Sequence, residues 1–149
     1  MNNEAQTITI HYDGWSDAFS AKVELIFIEG PPTRTVESVR EIYPKKKITA
    51  VFQPHLFSRT KDLAKEFAMQ LSKADEVILL DIYPARELPV EGVTSDLIFK
   101  QLTCSEKALL KKEELLDFIA NKKFEVLLTI GAGDIDKFLA PIKNVLGGH

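Results

Sequence analysis

The stretch "FQPHLFSRT" (52–60) places a histidine, a serine and an arginine within five residues of one another, just after an apolar run. Arg59 presents a planar fork of five donors, matched to a carboxylate or a phosphate. His55, four residues earlier, can orient a substrate or move a proton near neutral pH. Pro54 bars a strand from continuing, and Ser58 is placed to cap the helix that follows, with Asp62 in its first turn. The plainer account of the same letters is a capped helix start carrying a solvated arginine and a loop histidine.

Two other stretches have a similar character. In "DIYPARE" (81–87) Asp81 stands at the end of an apolar run, followed by Tyr83, Arg86 and Glu87. Such an aspartate can bind Mg²⁺ through water or hold an arginine; equally it can satisfy nearby backbone N–H groups beside an Arg86–Glu87 surface pair. "TIGAGDIDKF" (129–138) reads as strand, glycine turn, helix. Gly131 and Gly133 permit close backbone approach, and helix-start N–H groups favour an anion. Asp136 occupies the third glycine position of a G-x-G-x-x-G, however, and Asp134 serves better as an N-cap than as a neighbour of phosphate.

These three groups need a scaffold that brings them together. Continuous β-branched runs occur at Lys47–Phe52, Glu76–Tyr83 and Glu125–Gly133, the pattern of strands buried on both faces of a parallel sheet. Helical patterns lie between them: "TRTVESVREIY", "SRTKDLAKEFAMQLSKA", "TSDLIFKQL" with "KKEELLDFIANKK", and "DIDKFLAPIKNVL". The alternation predicts an α/β fold, a mostly parallel sheet with helices on both faces. Residues 1–30 read instead as an antiparallel edge hairpin, "TITIHY" and "KVELIFI", with Asp13-Gly14 in the turn. Functional groups of open α/β sheets gather beyond the carboxyl ends of the strands, so the three polar stretches should share one rim.

Composition narrows the function. The 149 residues carry a net charge of −3, against a general nucleic-acid or anionic-membrane binder. A single cysteine, Cys104, allows no intrachain disulfide, shows no sign of activation and makes a structural zinc site untenable. No signal-peptide pattern and no apolar run of membrane-spanning length are present, so a cytoplasmic protein is expected. The lysine runs "PKKK" and "KALLKK" read as solvated faces. "IHYDGWSD", with His11, Tyr12 and Trp15, resembles a short piece of the chromatin-reader barrels that enclose methyl-lysine, over about eight residues; a packed aromatic cluster beside a turn accounts for it better.

Taken together, "VFQPHLFSRT", "LLDIYPARELPVEGVTS" and "LLTIGAGDIDKF" resemble the C-terminal domain of the bacterial Mur ligases, and among them the branch that adds L-alanine to UDP-N-acetylmuramate. The likeness runs from about Ser38 to the C-terminus, with the motifs in order. It implies a Rossmann-like core (33–149), preceded by a divergent segment (1–30), within one domain spanning 1–149. It further implies that UDP-binding and ATP-binding domains lie elsewhere, and that ATP and Mg²⁺ serve the full-length enzyme. There, ATP phosphorylates the muramoyl carboxylate and the alanine amine attacks the acyl phosphate. His55 and Arg59 match the family's functional loop as catalytic and substrate-binding residues; Ser58, Asp81 and Tyr83 would border the same cleft.

The chain also departs from the family. Where relatives carry an acidic segment with a tyrosine and tandem histidines, it reads "FIEGPPTRTVESV", and position 56 is Leu where many relatives are basic. No G-x-x-x-x-G-K-[ST] phosphate loop is present, so the chain alone is expected neither to bind ATP tightly nor to ligate. A non-catalytic α/β binding module that kept the fold is the alternative.

Overall fold

The computed structural model describes the backbone of residues 9–16 and 21–147, and side-chain environments within residues 23–146. Six strands form one sheet: β1 (Thr9–Ser16), β2 (Ala21–Glu29), β3 (Ile48–Gln53), β4 (Glu76–Leu80), β5 (Glu106–Leu110) and β6 (Val126–Gly131), in the order β1-β2-β6-β3-β4-β5. β2, β6, β3, β4 and β5 run parallel, and β1 pairs antiparallel with β2.

Every residue of β3, β4 and β6 is buried. Alternate side chains therefore feed two cores. On one face Ala50, Phe52, Val77, Leu79 and Leu128 pack beneath α1 (Thr35–Ile42), α2 (Phe57–Leu71) and α3 (Asp96–Phe99). On the other, Val51, Ile78, Leu80 and Leu127 meet Leu115 and Ile119 of α4 (Lys112–Ala120) and Ile142 and Leu146 of α5 (Leu139–Gly147). The period of two in the strands thus sorts the continuous apolar runs into two layers.

Two expectations change. Asp13 and Gly14 lie inside β1, opposite Glu24 and Val23, and not in a turn. The antiparallel pair β1–β2 lies at the sheet edge, with β1 outermost and β2 joined to β6. β5 lies between two helical patterns, in a stretch that reads as a solvated lysine face: "EKALL" has good helix formers, and its exposed edge position breaks up any continuous apolar pattern. The side chains of His11, Tyr12 and Trp15 lie outside the described residues.

The amino ends of β3, β4 and β5 are held by charge. Glu76, 2% exposed, accepts Thr49 Oγ1 at 3.0 Å and pairs with Lys122 at 2.6 Å. Lys47 lies 3.7 Å from Glu76 and 2.7 Å from Glu106. The lysine runs are therefore not merely solvated: Lys47 joins this cluster, and Lys107 Nζ sits 4.6 Å above the Phe99 ring.

Candidate functional site

At the opposite end, β3 hands over to Gln53 and the buried Pro54, which has no N–H with which to extend the ladder. The chain improvises. Tyr83 N–H donates to Pro54 O at 2.8 Å, and Leu56 N–H donates to Tyr83 O at 2.9 Å. This parallel bridge pairs His55 with Tyr83, and their rings stack at 5.8 Å between centroids and 14° between planes. β4 itself ends at Leu80, short of the expected Tyr83, where Ser95 Oγ donates to Leu80 O at 2.5 Å.

Gln53 ties in the third loop, and its part was not foreseen. It is 2% exposed, with both ends of its amide engaged. Oε1 accepts the Ile135 N–H at 3.1 Å, and Nε2 donates to Asp134 Oδ1 at 2.6 Å. Asp134 Oδ2 accepts from Lys112 Nζ at 2.6 Å. Burial pushes the Asp134 carboxyl up, but Lys112 and Gln53 outweigh it and hold the group below its ordinary range. Asp134 therefore makes no side-chain cap; it is a junction between β3, α4 and the 3-10 turn Ile135–Phe138. A polar residue directly closing a buried strand was the signal for Gln53.

Gly133 completes the contact. A Cβ there would lie 2.5 Å from Tyr83 Cγ and 2.6 Å from Gln53 Oε1. The turn can approach the His55–Tyr83 stack only without a side chain.

The predicted residues are thus placed on neighbouring loops at the carboxyl ends of β6, β3 and β4, which are adjacent in the sheet. Arg59 is exposed in the first turn of α2, with no hydrogen-bond or ion-pair partner among the described residues. Ser58 is not the N-cap; that position is Leu56, with φ of 73° and no side-chain cap bond. Asp62 falls beyond the first turn. Ser58 N–H and Oγ instead donate to Glu87, at 3.1 and 2.5 Å, so Glu87 faces Ser58 and not Arg86. Asp81 is exposed and engages no partner among the described residues. No cluster of three or more His, Cys, Asp or Glu able to hold a metal occurs among the described residues. Cys104 is half-buried, and burial pushes its thiol up, away from nucleophilic character.

No family model matches the chain. By sequence it is 53% identical over 113 residues to the UDP-N-acetylmuramate–L-alanine ligase of Parabacteroides distasonis, a match covering 76% of this chain and 24% of that protein. The chain therefore spans about a quarter of the length of the curated relatives it matches. Among solved structures, the UDP-N-acetylmuramate–alanine ligase of Thermotoga maritima superposes with a TM-score of 0.59 at 24% identity, over 80% of this chain and 26% of that one. A murein peptide ligase from Psychrobacter arcticus superposes with a TM-score of 0.64 at 12% identity, over 85% and 28%. These two share the fold. With half its residues identical over three-quarters of its length, the chain is the counterpart of the C-terminal quarter of proteins named UDP-N-acetylmuramate–L-alanine ligase.

Proposed function

We propose that this chain acts as the closing domain of an ATP-dependent ligase that joins L-alanine to UDP-N-acetylmuramate in the cytoplasm, with residues 1–149 as one domain. The observation that carries the reading is the shared rim: the His55, Tyr83 and Gly133 loops pack against one another at the strand ends. The first-turn position of Arg59 on α2 supports a role in gripping a carboxylate or a developing phosphoryl charge. His55, braced by the Tyr83 ring, would line the amino-acid end, with Asp81 beside it. Ser58, already engaged by Glu87, would contribute through the start of α2. ATP and Mg²⁺ would be held by a central domain, and UDP-N-acetylmuramate by an N-terminal one. Closing this rim over them would exclude water from the acyl phosphate and align the amine for attack.

The test is a graft. The 113 matched residues replace their counterparts in the P. distasonis ligase. Alanine-dependent phosphate release should persist, within about tenfold of the parent. A graft that folds and binds ATP but releases no phosphate with alanine would instead favour a binding module that has lost the chemistry, a reading to which the divergent "FIEGPPTRTVESV" segment lends weight.

A further inference from the structure

Helix α2 begins without help from its own sequence. Its N-cap position is Leu56, which has a positive φ of 73° and makes no side-chain cap bond, and no acidic residue lies in its first turn. Four N–H groups at a helix start need acceptors, and a negative charge there is favoured. The acceptor comes from another loop. Glu87 takes the Ser58 N–H at 3.1 Å and the Ser58 hydroxyl at 2.5 Å. The loop is shaped to bring it there: Glu87 N–H donates to Pro84 O at 2.9 Å across a turn in which Ala85 has a positive φ of 54°. Leu56 and Ala85 are the two non-glycine residues with positive φ among the described residues, and they lie on the two segments joined by the Tyr83–Leu56 hydrogen bond. Unfavourable backbone of this kind persists where the surroundings over-determine it, and it gathers at functional junctions.

We propose that Glu87 is a positioning residue for Arg59: by capping α2 from the neighbouring loop, it fixes the first turn from which the arginine reaches into the cleft. The Glu87 carboxyl is held below its ordinary range chiefly by the Ser58 hydroxyl, as a charged cap would be. The kinetic consequence rests on the ligase reading; the structural one does not.

Two measurements test it. In the 149-residue chain, Glu87→Gln and Glu87→Ala should shift the Phe57 and Ser58 amide resonances and the Arg59 Nε–Hε resonance, with the remainder of the spectrum unchanged. In the grafted ligase, Glu87→Ala should lower kcat/KM by about five- to tenfold, the scale of a lost cap. Combined with Arg59→Ala it should add no further loss, because it acts only through that arginine. Equal losses from Glu87→Ala in the presence and absence of Arg59 would overturn the inference, as would unmoved Ser58 and Arg59 resonances. If the graft itself proves inactive, the ligase reading falls and the resonances alone decide whether Glu87 holds α2.

Discussion

Replacing Arg59 with alanine in the grafted ligase is expected to lower kcat/KM by about a hundredfold or more, the usual cost of losing a donor aimed at developing charge. The domain should stay folded. Arg59 is exposed, and no contact among the described residues depends on it. Its freedom is itself informative: on the same rim Glu87 is engaged by Ser58 and Asp134 by Lys112 and Gln53, whereas Arg59, like Asp81, has no partner among the described residues. An arginine left unpaired on the rim is available to an incoming anion. Arg59→Lys should also impair turnover, since an ammonium cannot make the two parallel bonds of a guanidinium. Steady-state kinetics of both variants, with thermal melts as control, check this. Undiminished turnover in Arg59→Ala would remove the residue from the mechanism.

Gly133→Ala should be the most damaging single methyl in the domain. The added carbon would meet Tyr83 Cγ at 2.5 Å, Gln53 Oε1 at 2.6 Å and Tyr83 Cβ at 2.7 Å, separations that force something to move. The requirement is space and not torsion, because the described glycines with positive φ are Gly30 and Gly92. Neither partner can yield cheaply. The Tyr83 ring is stacked on His55 and its backbone is bonded on both sides; the Gln53 amide is buried and doubly engaged. Overpacking of this kind costs about 1–3 kcal/mol, which lowers Tm by several degrees in a domain of this size. Turnover in the graft should fall further than the lost stability explains, since the displaced ring is the brace of His55. An unchanged melting temperature and full activity would show that the glycine turn is looser than this packing implies.

Much of this arrangement was legible in the letters, for a physical reason. Strands buried on both faces must be apolar throughout, so β3, β4 and β6 announced themselves, and their carboxyl ends marked the rim. What stayed hidden depended on partners distant in sequence. β5 is an exposed edge strand written in helix-forming residues. Asp13-Gly14 carried a turn signature that pairing with β2 overrode. Ser58 and Asp134 both looked like caps by local spacing, yet each bonds across the rim, Ser58 to a loop 29 residues away and Asp134 to Gln53, 81 residues away. Local chemistry singled out residues that lie on the rim but misjudged their partners, because a loop from elsewhere offered a better acceptor or donor. The family motifs, in contrast, survive in the letters themselves, and they led to the same rim.

Hydrogen exchange in the grafted ligase tests most directly whether that rim faces the cleft. With UDP-N-acetylmuramate, L-alanine and a non-hydrolysable ATP analogue present, amides in 53–59, 81–87 and 131–135 should gain protection together. The charged end of the sheet around Glu76 and Glu106 should exchange as before. Protection that appears at the Glu76 end, or that leaves all three loops unchanged while the ligands are bound, would contradict the account.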